Sequence, residues 1–223
     1  MTAQPHSAPS IRAATAADVP FLARAEFEAS LPPFGRSFWD DLLKESGTGT
    51  LEFLESKLRE EAASWGAVED FIVLEVEGTS AAACAVFAAD EHAEQGPLNL
   101  DRLDRVAAAL SWTAETAAAF RAAYQGIWSG GAEFLKPQAE LIVESVAVAP
   151  EFRGRGLGHA LMRAAFDKAQ GKGAASLGIM VIHGNDAAKA LYEKYFDPYT
   201  TFHAAYFDHA FPGLTKFRAN LVE

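Results

Sequence analysis

The sequence predicts an α/β fold with a mixed central sheet and helices on both faces. Three observations carry that expectation. Short runs rich in β-branched residues, such as residues 71–76 (FIVLEV) and 140–148 (ELIVESVAV), read as strands. Between such runs lie segments with helical apolar spacing, above all residues 156–170, where Leu157, Leu161, Ala164 and Ala165 share one face. A Gly-rich turn joins the second of those strands to that helix.

Along the chain, residues 10–14 (SIRAA) open as a strand. Thr15 is a helix N-cap with Asp18 three residues on, a weaker form of the reciprocal box made with Glu. The helix that follows carries Val19, Phe21, Leu22, Ala25 and Phe27 and stops by Pro32-Pro33. Residues 38–43 and 51–64 read as helices, the second with Leu51, Leu54 and Leu58 at helical spacing. Strand 71–76 turns at Glu77-Gly78 into a returning strand at 80–88. Residues 90–138 read as an insertion with helices at 100–110 and 113–128, the latter closed by Gly130-Gly131. After strand 140–148 and helix 156–170 come a strand at 174–182, a helix at 186–195, and strands at 199–207 and 214–221. No long Pro, Gly or Ser linker divides the chain, so residues 10–223 read as one domain with helical insertions near 32–70 and 90–138. Residues 1–9 have no apolar periodicity and read as a disordered tail.

Composition narrows the function. With 223 residues, 50% of them hydrophobic and 22% charged, the chain can bury a substantial core. Its start lacks the charged and apolar segments of a signal peptide, and no run approaches the ~18 apolar residues of a membrane span. The single cysteine, Cys84, has no internal disulfide partner, which fits a reducing cytoplasm. The net charge of −11 is uneven: residues 150–223 hold nine Lys/Arg against seven Asp/Glu, and the first 149 hold ten against twenty-three. Such a chain is a poor tracker of nucleic-acid backbone. The acidic excess reads either as a solvating surface or as a division in which an anionic ligand binds the near-neutral half and a cationic acceptor the acidic half. Six histidines form no metal-ligand spacing, and no Gly-x-Ser-x-Gly supplies a serine nucleophile.

The most informative segment is residues 146–159, VAVAPEFRGRGLGH. A helix start leaves its first N–H groups without intrahelical partners and adds the positive end of the helix dipole. Glycines let a diphosphate approach those groups, and Arg153 and Arg155 add charge. The dinucleotide pattern Gly-x-Gly-x-x-Gly fails here, because its third position is His159 or Leu161. A P-loop string is absent. The run Arg153-Gly154-Arg155-Gly156-Leu157-Gly158 instead resembles the R/Q-x-x-G-x-G/A motif of GNAT-superfamily N-acetyltransferases. A second match follows, where Asn185-x-x-Ala188-x-x-Leu191-Tyr192-x-Lys194 is similar to a helix of the same family. The opening IRAATAADVPFLARAE also resembles its N-terminal element. One departure is evident. Phe196-Asp197-Pro198 stands where the family has Gly-Phe, so the end of that helix and the next strand are expected to differ.

The resemblance implies a mostly antiparallel sheet whose two parallel central strands, 140–148 and 174–182, splay apart around acetyl-CoA. It implies that Val146, Ala147 and Val148 pair with the pantetheine arm. N–H groups from Gly154, Arg155, Gly156, Leu157, Gly158 and His159 hold the pyrophosphate beside Arg153, and Asn185 bonds the cofactor or caps its own helix. The acceptor amine attacks the thioester directly, with no acyl-enzyme and no metal. Glu144, on an otherwise apolar strand, is the candidate base, and Tyr192 the candidate acid for the leaving thiolate. Strand parity puts Glu144 on the face of Val146 and Val148. The acceptor is left open among small amines and peptides; a homodimer is in keeping with the family. The other reading is a non-catalytic acyl-CoA-binding domain of the same fold.

Overall fold

A computed structural model of the chain describes residues 9–128 and 133–221. Seven strands form one sheet: β1 Ser10–Ala13, β2 Phe71–Val76, β3 Thr79–Phe87, β4 Leu141–Val148, β5 Ser176–Ile182, β6 Asp197–His203 and β7 Gly213–Asn220. Their order is β1-β2-β3-β4-β5-β7-β6. Only β4 and β5 run parallel, and every other neighbouring pair is antiparallel. The hairpin β2–β3 turns through Glu77 (φ 53°) and Gly78 (φ 77°), the two left-handed residues that suit the twist of a tight hairpin.

Helices cover both faces. On one lie α1 Val19–Ser30, α2 Phe38–Leu43, α3 Thr50–Arg59, α4 Leu103–Ala109 and α5 Ala114–Trp128. On the other lie α6 Leu157–Gly171 and α7 Asp186–Tyr192. The Thr15/Asp18 box is present: Asp18 accepts from the Thr15 N–H at 2.8 Å and from its hydroxyl at 3.0 Å. Arg12 grips the same carboxylate at 2.7 and 2.8 Å, and holds it down to about 2.

The two helical insertions share one apolar layer. Trp39 of α2 lies 5.2 Å from Phe53 of α3, and Phe53 lies 5.1 Å from Phe120 of α5. The Tyr124 hydroxyl accepts from the Leu98 N–H at 2.7 Å, which fixes α5 to the chain entering α4. Helix spacing in the sequence continues past the real ends in two places. α3 stops at Arg59, because Glu61 adopts φ 53°, and α7 stops at Tyr192. The expected strand 199–207 instead runs from Asp197 to His203 and is followed by a 3-10 turn. Pro198 is tolerated there because β6 is an edge strand, paired only with β7. Gly130-Gly131, expected to close α5, lies outside the described residues. No helix among the described residues is long and apolar enough to cross a membrane.

Candidate active site

β4 and β5 pair only at Leu141↔Leu177, Ile142↔Gly178 and Val143↔Ile179. Beyond Val143 the strands part, while β4 stays bonded to β3 as far as Val148. The cause is local. Ser145 takes φ 54°, and the β3–β4 register slips so that two residues of β4 oppose Cys84. Such a bulge bends the strand that carries it.

The bulge also corrects the parity expectation. Ile142 belongs to the α1 face, and Leu141 and Val143 to the α6 face. After the extra residue the alternation restarts one step out of phase, so Val146 and Val148 pack towards α6 and Ala147 towards α1. Glu144, before the bulge, sits with Ile142 in a cavity on the α1 face, opposite Val146 and Val148. That cavity has a volume of about 30 Å³ and is walled by Trp65, Phe87, Phe134 and Met180. Burial pushes the Glu144 carboxyl up to about 8, against the opposing pull of Lys216 and the Ser145 N–H.

Sequence reading missed Lys216. It is buried on β7 opposite Met180, lines the same cavity, and donates to the carbonyl of Lys136. Burial lowers its ammonium pKa, and Glu144 partly restores it. A lysine inside LTKF, a run of otherwise buried strand, was the available signal. The buried pair of Glu26 on α1 and Lys57 on α3 was missed as well, and Glu26 adds to the upward push on Glu144.

Past Val148, a 3-10 turn at Pro150–Phe152 leads into the glycine loop. Gly154 (φ 76°) and Gly156 (φ 78°) both need the left-handed region, and a Cβ on either would meet only open space. Gly156 is the N-cap of α6, whose first internal bond runs from the Ala160 N–H to the Gly156 carbonyl. The N–H groups of Leu157, Gly158 and His159 thus end the helix without intrahelical acceptors. The side chains around them have other partners. Leu157 is buried beneath α6, and His159 Nδ1 lies 2.9 Å from the Tyr195 hydroxyl. Gly158 admits Leu191 of α7, which would lie 3.1 Å from a Cβ there. Arg153 bonds the Val148 carbonyl at 3.1 Å and Glu28 at 2.8 Å, while Arg155 bonds the Glu151 carbonyl at 3.0 Å. The loop's open anion-binding capacity is therefore in its backbone.

Asn185 caps α7, its Oδ1 accepting from the Ala188 N–H at 3.2 Å. Tyr192 closes the same helix, buried on the α6 face. Burial raises its hydroxyl pKa, and the charges of Glu144 and Cys84 raise it further. The fold thus sets a carboxylate on the α1 face of the sheet and a phenol and a helix N-terminus on the α6 face.

A family model described as "Acetyltransferase (GNAT) family" matches residues 39–197. The chain belongs to the GNAT acetyltransferase family. The fold of this GNAT enzyme has many solved counterparts. An N-acetyltransferase from Staphylococcus aureus Mu50 aligns at TM-score 0.61 and 17% identity, over 94% of this chain and all (100%) of that one. The protein yncA from Salmonella typhimurium, solved with its cofactor acetyl-CoA, aligns at 0.55 and 17% over 97% and 96%. The ribosomal-protein-S18-alanine N-acetyltransferase from Escherichia coli aligns at 0.53 and 16% over 97% and 96%. At such identities the likeness is one of fold. No curated protein sequence matches the chain.

Proposed function

We propose that this GNAT chain transfers an acetyl group from acetyl-CoA to a primary amine by direct attack within a ternary complex. The observation that carries the reading is the opening of β4 from β5 at the Ser145 bulge, with the bare N-terminus of α6 next in the chain after that strand and its short turn. The backbone of Val146, Ala147 and Val148 on the opened side pairs with the pantetheine amides. N–H groups from Gly154 to His159 receive the pyrophosphate, and the positive end of the α6 dipole favours it there. Arg155 is exposed and turns towards phosphate by leaving the Glu151 carbonyl, and Arg153 does so by leaving Glu28. Asn185 orders the start of α7, and its amide N–H₂ remains for the cofactor arm.

As the amine nitrogen bonds to the thioester carbon, Glu144 takes the proton the nitrogen sheds. A carboxyl held near about 8 is matched to that task around neutral pH. When the carbon–sulfur bond breaks, Tyr192 gives its proton to the thiolate. Residues 10–223 act as one domain in this scheme, because both insertions and the sheet line the Glu144 cavity together. A thiol-release assay with acetyl-CoA and a panel of amines tests the reading. Amine-dependent release is the expected result. CoA binding by calorimetry with no release from any amine would identify an acyl-CoA-binding module instead.

A further inference from the structure

Six aromatic rings form a continuous chain along one rim of the sheet. Phe34 lies 6.0 Å from Phe211, and Phe211 5.0 Å from Phe207, centroid to centroid. Phe207 lies 5.2 Å from Phe134 and 4.9 Å from Tyr206, which lies 4.9 Å from Phe202. All fall within the separations, about 4.5–7 Å, at which ring edges meet ring faces. The rings come from three distant segments: the α1–α2 connection, the approach to β4, and the β6–β7 connection with the end of β6. None of the six is buried, and Phe34 and Tyr206 are 51% and 47% exposed. A contiguous, half-open aromatic surface of this kind marks a binding surface, in contrast to apolar residues scattered singly.

Phe134 ties that surface to the chemistry. It belongs to the chain of rings and also lines the Glu144 cavity. At about 30 Å³ the cavity admits a small polar end and no more, since one water occupies roughly 10–15 Å³ on the same scale. A larger body attached to that end must rest on the rings outside. Charge sets a second limit. Glu144 offers one carboxylate, Lys216 shares the cavity with its own ammonium, and Glu26 is already paired with Lys57. Lys216 offsets that one carboxylate, so the cavity holds no surplus negative charge for a polyamine.

We propose that the acceptor is a monoamine carried on an aryl or bulky apolar body, with the body against the Phe34–Phe134–Phe211 rings and the nitrogen at Glu144. The inference rests on the acyl-transfer reading above. Its test compares 2-phenylethylamine, n-butylamine and spermidine as acceptors in the thiol-release assay. The expected kcat/KM is about tenfold higher for 2-phenylethylamine than for n-butylamine, the scale of burying one ring against others, with spermidine lowest. Phe134→Ala should raise the KM for 2-phenylethylamine about tenfold more than it raises that for n-butylamine, with the calorimetric affinity for CoA unchanged. Phe207→Leu, at the ring next to Phe134, supplies the same comparison should Phe134→Ala fold poorly. Equal rates for the three amines, or spermidine ahead, overturn this inference and leave acyl transfer standing. CoA binding with no release from any amine overturns acyl transfer itself. A dimer by light scattering that Phe211→Leu dissociates, with kinetics unchanged, assigns the rings to self-association and also overturns the inference.

Discussion

The two faces of the sheet build their sites from different material. On the α6 face the groups that matter are backbone: the opened edge of β4, the left-handed Gly154 and Gly156, and the first amides of α6. On the α1 face they are side chains drawn from remote positions: Glu144 from β4, Lys216 from β7, Phe134 from the approach to β4, and Trp65 from the stretch after α3. A backbone site needs a particular local conformation, so it sits in one continuous segment. A side-chain site needs only that several segments converge, and each contributes a single residue.

The largest test of this contrast lies on the side-chain face. Glu144→Gln keeps the shape of the cavity and should lower kcat by about 10²–10⁴-fold, the range of general-base help. With Glu144 as the base, the parent's rate should rise with pH through about 8 and fall below it. The variant should lose that limb in a pH–rate profile and keep its affinity for CoA. A full-rate Gln variant would remove Glu144 from the mechanism.

Gly156→Glu makes the converse change on the backbone face. A carboxylate ~5 Å from a phosphate costs about 3 kcal/mol at an effective dielectric of ~20, so CoA affinity should drop by more than about 100-fold. The φ of 78° adds strain for any residue with a Cβ, so circular dichroism must accompany the calorimetry. Unchanged affinity would reduce the glycine loop to a turn.

Tyr192→Phe tests whether the two faces meet across the opening. It removes only a hydroxyl, so folding and CoA affinity should hold. A thiol is already a good leaving group, so kcat should fall towards the low end of the general-acid range, roughly tenfold to a few hundredfold. The KM for acetyl-CoA should move little, since the interaction strengthens as thiolate charge develops. Stopped-turnover rates equal to the parent would leave water to supply the proton.

The smallest effect belongs to the frame that holds both faces. Asp18→Asn breaks the box with Thr15 and the grip of Arg12, and should lower stability by about 1–2 kcal/mol with kinetics unchanged. The folded Asp18 carboxyl lies below its ordinary value, at about 2. Its contribution is therefore complete above the unfolded value of ~4 and is lost as pH falls towards about 2. Thermal melts of parent and variant should converge across that interval.

Much of the fold was legible because local patterns and burial agree. The strand 71–76 and the helix 38–43 appear at the residues their patterns mark. Patterns overran where a single backbone torsion ended an element, as at Glu61 after α3. The face of Glu144 was misread for the same kind of reason. Parity assumes an uninterrupted pleat, and the left-handed Ser145 breaks it without any glycine to announce the break.

The sequence by itself determined the strand–glycine turn–helix unit and the family, because those rest on patterns within a few residues of one another. Tertiary structure alone decided which side of the sheet Glu144 faces, that Lys216 shares its cavity, and that aromatic rings from three segments connect to it through Phe134. Those outcomes depend on the β5–β7 register, on the bulge against Cys84 and on how the two insertions pack together. Pairing between residues far apart in the chain leaves no periodicity in either segment alone.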